Sequence, residues 1–148
     1  MNAYTAPAHQ QLRRHRQAAD IHQRHLAHTI GVSESALRRW ELGHTTPRIN
    51  HAYAYAATLN QQLTIMRGNQ PISPLQQVLP NLARFRDRHH TTRLAMAAHL
   101  HVTESAVGNT ERKAAAGAPV VLATLERYFA ALGYRIAVTP RQPERTPA

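Results

Sequence analysis

Residues 26–47 read LAHTIGVSESALRRWELGHTTP, and this stretch decides the fold. Its apolar residues recur at helical spacing from about 23 to 30, which predicts a helix. Gly31 then permits the backbone conformation that ends a helix, and Ser33 is a favourable N-cap for a second helix over 34–41. Two helices joined by a turn of about three to four residues form a helix-turn-helix.

The same phrase returns seventy residues later, where VTESAV occupies 102–107. When residues 12–41 are aligned with 82–111, nine of the thirty positions are identical. An Ala- and Arg-rich chain gives some matches by chance, but it rarely preserves such a run with flanking Arg and Glu residues at fixed distances. We interpret the pattern as an internal duplication, which predicts two tandem helix-turn-helix units.

Each unit is predicted to contain about four helices followed by a short β-strand. The expected helices are 10–20, 23–30, 34–41 and 49–60 in the first unit, and 81–90, 93–100, 104–113 and 119–132 in the second. Thr92 and Thr103 are expected caps in the second unit. ATLNQQLTI (57–65) aligns with AALGYRIAV (130–138) after an insertion of three residues, and these stretches contain the expected strands, 62–66 and 134–138.

The predicted fold class is therefore mainly α, with two tandem units whose strands pair with each other. The first unit spans 8–67 and the second, diverged unit spans 76–139. A glycine and two prolines lie between the two units, and they predict a linker at 68–75. Residues 140–148 are polar and rich in proline, and we expect them to be a disordered tail.

The charge of the chain limits the classes of partner. The formal net charge is +10 and the pI is about 11.4, which favours a polyanionic partner, either nucleic acid or an anionic membrane surface. Of 18 basic residues only Lys113 is lysine, and arginine suits bidentate contacts to phosphate and guanine. A GC-rich genome would give the same arginine bias.

Several classes of protein are excluded by composition. The chain contains no cysteine, which excludes disulfide frameworks and thiolate metal sites. No stretch approaches the roughly 20 apolar residues of a membrane span, and the N-terminus lacks the pattern of a signal peptide. We expect a soluble, cytoplasmic and nucleoid-associated protein without membrane contact.

The stretch 26–47 resembles the phage-repressor, or Xre/Cro, family of helix-turn-helix proteins. The family's most recognisable feature is Trp-Glu-x-Gly at the end of the recognition helix, here Trp40 to Gly43, followed by a proline, here Pro47. The match is weaker over 82–132, where Thr110 replaces the tryptophan. The resemblance implies lambda-repressor-like units, and the trailing strands are similar to those that pair across a dimer in persistence-type antitoxin repressors.

The resemblance also implies roles for individual residues in contacts with double-stranded DNA. The early part of the third helix of each unit enters the major groove. The base-reading residues implied are Glu34, Ser35 and Arg39 in the first unit and Glu104, Ser105 and Asn109 in the second. The phosphate contacts implied are His22, Gln23, Arg38, Thr92, Arg93 and Lys113.

The chemistry of these positions is suitable for reading bases. Arg39 can contact guanine O6 and N7, and Asn109 can contact adenine N6 and N7, each with two hydrogen bonds. Glu34 and Glu104 can accept from cytosine N4, although a glutamate after an N-cap also serves simply to complement the helix dipole. Gly108 weakens the second recognition helix, which favours a backbone-binding or packing role for that helix as the alternative.

A second set of residues is implied to be structural. In the family, an arginine of the first helix forms a buried ion pair with the glutamate that closes the third helix. Both units keep the two partners, as Arg16 with Glu41 and Arg86 with Glu111. We expect these pairs to hold the fold and not to contact DNA.

Metal binding and catalysis are poorly supported by the sequence. His22, His25 and His28 recur every three residues, but a metal site also needs further ligands, and surface histidines explain the pattern equally well. There is no nucleophile motif, phosphate-binding loop or metal signature. We expect no cofactor, no metal and no enzymatic activity.

Three functional hypotheses follow. The first is a transcriptional regulator, a repressor, that binds a (pseudo)palindromic operator as a pseudo-dimer or as a homodimer. The second is an antitoxin that represses its own operon and binds a toxin, although no partner-binding extension is evident. The third is a plasmid or nucleoid protein that binds DNA with little sequence preference. A structural protein without a role on DNA is the remaining alternative.

Overall fold

The computed structural model describes residues 6–141, in which helices predominate over one small antiparallel sheet. The helices are α1 (Ala8–Ala18), α2 (Gln23–Ile30), α3 (Glu34–Glu41), α4 (Ile49–Thr58), α5 (Leu75–Val78), α6 (Leu82–Arg88), α7 (Arg93–Leu100), α8 (Glu104–Ala115) and α9 (Leu122–Ala131). The strands are β1 (Gln61–Arg67), β2 (Gln70–Pro74) and β3 (Arg135–Pro140). The mainly helical class predicted from the sequence is confirmed. We call α1–α4 the N-terminal helix group and α6–α9 the C-terminal helix group.

Side-chain caps begin α3, α7 and α8. The hydroxyls of Ser33, Thr92 and Thr103 each accept a hydrogen bond from the backbone N–H three residues later, at 3.0, 3.1 and 3.1 Å. Gly31 ends α2 in the left-handed region with a φ of 78°, as its lack of a side chain allows. His101 occupies the same position after α7 with a φ of 55°, a conformation that costs a non-glycine residue roughly 1–2 kcal/mol.

One hydrophobic core joins both helix groups and the sheet. Leu26 and Leu37 are fully buried between α2 and α3, and Met96 and Val107 are buried in the same way between α7 and α8. The strands also contribute to this core, with four side chains that are at most 8% exposed: Leu63, Ile65, Ile136 and Val138. Within residues 6–141, no helix is long and apolar enough to cross a membrane.

The sheet has the strand order β2-β1-β3, and both pairings are antiparallel. Leu63 is opposite Val138, Thr64 is opposite Ala137, and Ile65 is opposite Ile136. The two strands expected to pair, one after each helix group, therefore do so. Leu63, Ile65 and Ile136 belong to the hydrophobic core, and a one-residue slip would turn them away from it to the other face of the sheet, which favours this register.

The segment predicted as a linker, 68–75, contains regular secondary structure. Residues 70–74 form the edge strand β2, which returns antiparallel to β1, and Leu75 then begins α5 as a fully buried residue. The prolines at 71 and 74, which indicated a linker, are tolerated because an edge strand has backbone groups that need no partner. A 3₁₀ turn at Leu79–Asn81 leads into α6.

Several boundaries differ from the predicted ones. Helix α1 begins at Ala8, two residues earlier than expected, and α8 continues to Ala115. Strand β3 continues to Pro140, and the N–H of Arg141 donates to the carbonyl of Asn60, so the expected tail does not begin at 140. The rest of that predicted tail, 142–148, lies outside the described residues.

The loops that precede α4 and α9 contact each other across the two helix groups. The N–H of Ile49 donates to the carbonyl of Val120 at 2.7 Å, and the N–H of Leu122 donates to the carbonyl of Pro47 at 2.9 Å. Arg48 and Val121 form an isolated antiparallel bridge between these two bonds. The helix groups are thus joined by main-chain hydrogen bonds both here and in the sheet.

A third contact between the groups connects α9 to the start of α1. Oε2 of Glu126 accepts a hydrogen bond from the N–H of Ala8 at 3.2 Å. Burial raises the pKa of Glu126, and the Ala8 N–H lowers it by less. Its folded pKa is above its unfolded value, so the contribution of Glu126 to stability is present in acid and is lost as pH rises through the folded pKa.

Glu126→Gln is therefore expected to leave the free energy of unfolding at pH 7 unchanged or slightly higher. Glutamine keeps an oxygen that accepts the hydrogen bond, and it removes a partly buried charge. Glu126→Leu, as the matched control, leaves the N–H of Ala8 without its partner and should cost about 1–3 kcal/mol. Urea unfolding at pH 7 measures both variants. Equal destabilisation by Gln and Leu would contradict this account of the contact.

Candidate nucleic-acid interface

Helix α3 separates its residues into a buried face and an exposed face. Leu37 and Trp40 are 0% and 9% exposed and pack into the core. Ser35, Arg38 and Arg39 are exposed on the other side. The helix therefore presents to solvent the polar side chains for which contacts with DNA are predicted, and Ser33 holds its N-terminus in place.

Helix α8 has the same division of faces. Val107 and Glu111 are buried, whereas Glu104, Ser105 and Asn109 are exposed. The described contacts of these three side chains with the rest of residues 6–141 include no ion pair and no hydrogen bond. Lys113 is also exposed, one turn after Asn109.

The two predicted base-reading glutamates differ in their surroundings. Oε1 of Glu34 lies 3.5 Å from Nη2 of Arg38, one turn along α3, and both side chains are largely exposed. Such an exposed pair contributes about 0.3–0.5 kcal/mol. In α8 the residue one turn after Glu104 is Gly108, so this intrahelical partner is missing. Glu104 is consequently the less constrained of the two carboxylates.

Beneath α3 lies a buried network centred on Glu41, which is 3% exposed. Nε and Nη2 of Arg16 donate to the two carboxylate oxygens, each at 2.7 Å. The Tyr55 hydroxyl donates at 2.6 Å and the Gln23 amide donates at 2.9 Å. The remaining guanidinium nitrogen of Arg16 donates to the carbonyl of Ile21 at 2.9 Å. The network ties α1, α2 and α4 to the end of α3.

A matching network lies beneath α8, centred on Glu111. Arg86 donates to both carboxylate oxygens, at 2.6 and 3.3 Å, and Tyr128 donates at 2.6 Å. The fourth member is Arg93, whose Nε donates at 3.1 Å to the oxygen that Arg86 holds more loosely. An arginine thus stands in this network where the first network has Gln23.

The structure therefore adds a role for two of the predicted phosphate-binding residues. The amide of Gln23 and the Nε of Arg93 are both occupied by buried carboxylates. The side chain of Arg93 is 45% exposed, and its terminal nitrogens remain available for a phosphate while its Nε donates to Glu111. Gln23 has a single amide group for both the contact with Glu41 and a contact with phosphate. His22 and Thr92 are exposed residues at the N-caps of α2 and α7.

Sequence reasoning missed Tyr55 and Tyr128. Each comes from the fourth helix of its group and donates to Oε2 of the glutamate, the oxygen that also accepts from the arginine Nε. The available signal was their separation of 73 residues, which equals the offset that aligns the two strands. This separation could be interpreted only once the structure showed that the fourth helix of each group contacts the glutamate.

The hydrogen bonds in both networks control the ionisation of the glutamates. Burial by itself raises the pKa of Glu41, but the hydrogen bonds from Arg16, Tyr55 and Gln23 outweigh it and hold that pKa below its ordinary value of 4.5. The pKa of Glu111 is lowered against burial in the same way by Arg86, Tyr128 and Arg93. The carboxylates are therefore charged at neutral pH.

Stability should consequently decrease in acid. A folded pKa below the unfolded one means that the unfolded chain binds more protons, so the contribution of Glu41 and Glu111 is complete above about pH 4.5 and is lost as pH falls through the folded values. Urea unfolding at pH 3, 4, 5 and 7 tests this. Protonation of histidines adds its own effect, so the Glu41→Gln variant is the control. It should lose less stability than the wild type between pH 5 and 3, and equal losses would contradict the assignment.

The histidines of α2 do not assemble a metal site. His22, His25 and His28 line an open concave surface together with Arg24 and Glu34. Among the residues from 6 to 141, no three histidine or acidic side chains are close enough to hold a metal ion. The cleft is a polar surface between α2 and the start of α3.

Comparison with known families supports the resemblance to the Xre/Cro type. Residues 12–65 match the family model described as helix-turn-helix, from within α1 to within β1. No curated protein and no solved structure matches the chain. A helix-turn-helix domain indicates a DNA-binding regulator, for which double-stranded DNA is the fitting partner.

Proposed function

We propose that this protein is a sequence-specific transcriptional repressor in which two helix-turn-helix units within one chain act as a pseudo-dimer. The N-terminal helix group is the first unit and the C-terminal helix group is the second. In this proposal α3 and α8 are the recognition helices, the exposed residues Arg39 and Asn109 read bases, and the protein needs no cofactor and catalyses no reaction.

Equivalent internal contacts support the assignment of the second unit. The arginine and glutamate of each buried pair are 25 residues apart in both groups. In each group the same glutamate also accepts from a tyrosine of the fourth helix and from the first residue of the second helix. A helix group that had diverged to an unrelated packing role would have no reason to keep all three donors.

The observation that carries the pseudo-dimer is the reciprocity of the contacts between the groups. With the offset of 73 residues, Arg48 corresponds to Val121 and Thr64 corresponds to Ala137, and each of these residues pairs with its own equivalent. Leu63 faces Val138, and Ile65 faces Ile136. With the same offset, Val138 is the equivalent of Ile65 and Ile136 is the equivalent of Leu63. The same reciprocity holds for the hydrogen bonds in the loops before α4 and α9.

Reciprocal pairing of this kind is the property of an isologous, two-fold interface. A two-fold relation makes the recognition helices face DNA in opposite directions along the duplex. The operator we propose is therefore an imperfect inverted repeat, with half-sites about one helical turn, roughly 34–36 Å, apart. A direct repeat would require a translational relation between the units, which antiparallel self-pairing opposes.

Footprinting of the full chain on DNA flanking its own gene tests the proposal. We expect one protected region containing two inverted half-sites, with one chain bound per region when the stoichiometry is titrated at a DNA concentration far above Kd. Two chains per region would instead support a homodimer, with each chain using a single recognition helix. Directly repeated half-sites would overturn the two-fold arrangement.

The same experiment separates the two alternative functions. A nucleoid or plasmid protein of low specificity would bind all duplexes with a steep salt dependence and give no discrete footprint. An antitoxin would give a footprint and also bind the protein encoded beside it, and co-purification with that protein tests this property. The net charge of +10 is compatible with all three functions and does not select among them.

A further inference from the structure

A groove of about 420 Å³ lies between the two helix groups. The start of α1 and the loop before α4 form one wall, and the first turns of α9 form the other. Pro7, Pro47 and Leu122 give the groove an apolar lining, and Glu126 contributes a carboxylate, so we call it the Glu126 groove. Its volume is within the range of about 300–1,000 Å³ that is usual for the binding sites of small molecules.

The carboxylate of Glu126 has one oxygen in use. Oε2 accepts a hydrogen bond from the N–H of Ala8 at 3.2 Å, whereas Oε1 has no described donor among residues 6–141. Within the same residues, Glu126 has no ion-pair partner within 4.0 Å. Burial raises the pKa of Glu126, because the lone charge is poorly solvated there. The groove therefore presents a half-buried carboxylate that a cation from outside the described chain would stabilise.

Two of the basic residues that line the groove leave this charge unpaired. Nη2 of Arg127 donates to the carbonyl of Leu100 at 2.9 Å. His9 packs against Gly43, where an added methyl group would lie 2.9 Å from the histidine Nε2. Burial lowers the pKa of His9 below its ordinary value of 6.5, so its imidazole is mainly uncharged at pH 7.

An equivalent groove in the structure has no carboxylate. With the offset of 73 residues, Tyr53 stands at the position of Glu126. It lines a groove of about 410 Å³ between the start of α4 and the loop before α9, and the described lining of that groove contains no charged side chain. Packing at this position between the helix groups therefore does not require a carboxylate. The charge distinguishes the Glu126 groove from its equivalent.

We propose that the Glu126 groove binds a small organic cation, namely a primary amine that carries an apolar group. The ammonium donates to Oε1 of Glu126 while Oε2 keeps its hydrogen bond from Ala8, and the apolar group packs against the proline and leucine side chains of the lining. A hydrogen bond between two charged groups is roughly twice as strong as a neutral one, and burial of the apolar group adds to the affinity. Because the two walls belong to different helix groups, a bound amine contacts both groups at once.

Titration of the isotope-labelled full chain with phenethylamine at pH 7, followed by NMR, tests the site. This amine is protonated at pH 7, as alkylamines are. Phenethyl alcohol has nearly the same shape and no charge, so it is the control ligand. Glu126→Gln keeps an oxygen for the N–H of Ala8 and loses the charge. Asp87→Asn is the matched control variant, because it removes one exposed carboxylate of α6 outside the groove.

We expect saturable shifts of backbone amides that line the groove, among them those of Gly43, His44 and Ala123. The alcohol should bind roughly tenfold more weakly than the amine, because it cannot form the charged hydrogen bond. Glu126→Gln should lower the affinity for the amine by about the same factor, and Asp87→Asn should keep the wild-type Kd.

Three results would overturn the site: equal affinities for amine and alcohol, an unchanged Kd in Glu126→Gln, or amide shifts confined to other surfaces. Absence of saturation below about 20 mM amine would also overturn it, since so weak an interaction is not a specific site. Glu126 would then serve only to hold the start of α1. None of these outcomes depends on the proposed DNA-binding function, because no DNA is present in the titration.

Discussion

Replacing Arg16 with alanine is expected to lower the free energy of unfolding by about 3–5 kcal/mol, because Glu41 then stays buried with its charge and without its cation. Arg16 is 9% exposed and donates to both carboxylate oxygens at 2.7 Å. Tyr55 and Gln23 still donate to Glu41, but neither carries a compensating charge. For a chain of this length the melting temperature should fall on the order of 10 °C.

Thermal unfolding followed by circular dichroism gives the measurement, with Arg14→Ala and Glu34→Ala as controls. Arg14 is an exposed arginine of the same helix, and Glu34 makes only an exposed pair. Both controls should shift stability by less than about 1 kcal/mol. The double variant Arg16→Met/Glu41→Leu should be more stable than Arg16→Ala, because it leaves no buried charge. If Arg16→Ala and Glu34→Ala proved equally stable, the role assigned to the buried pair would be wrong.

Replacing Arg39 with alanine is expected to weaken binding to the footprinted operator by about 1–3 kcal/mol, which corresponds to roughly 5- to 150-fold in Kd. Arg39 is exposed on the face of α3 opposite the buried Leu37. The loss should be confined to one half-site and should disappear on DNA in which the guanine of that half-site is changed. Asn109→Ala should affect the other half-site in the same way.

Footprinting each variant separately distinguishes the roles of α3 and α8, the two proposed recognition helices. Ser35→Ala is a mild control on the same helix, since a single hydroxyl contributes less than a bidentate pair. Protection lost over different halves of one site would support base reading by both helices. If Asn109→Ala protected the operator as the wild type does while Arg39→Ala did not, α8 would act through the backbone alone. Thermal stability of both variants should match the wild type, because both side chains are exposed.

Features that depend on neighbours in sequence were predictable. The turn at Gly31, the caps at Ser33 and Thr103 and the limits of α2 and α3 all follow from local preferences, and the structure has them as expected. The pairing of the strands after each helix group was predictable only because the repeat placed them in equivalent positions. The exposed face of α3 follows from the 3.6-residue period once Leu37 and Trp40 are assigned to the core.

Features that depend on tertiary contacts were not predictable from the same signals. Prolines at 71 and 74 indicated a linker, and only the presence of β1 as a neighbour makes an edge strand of these residues. Helix α9 begins at Leu122 and not at 119, because Val120 and Leu122 are engaged by the loop before α4. The convergence of Arg93 and Arg112 over Gly108 has no pattern in the sequence, since it depends on how α7 packs against α8.

The joining of both helix groups through β1 and β3 within one chain has a consequence for the response to protein concentration. A repressor that assembles from two chains loses its active form on dilution, and its occupancy of DNA rises steeply with concentration. Here the partner strand is always present at the high effective concentration of a covalent tether. In the proposed pseudo-dimer, occupancy of the operator would therefore follow a simple hyperbola with a Hill coefficient of about one. A gene controlled in this way responds in a graded manner, and even a few molecules per cell retain their full affinity.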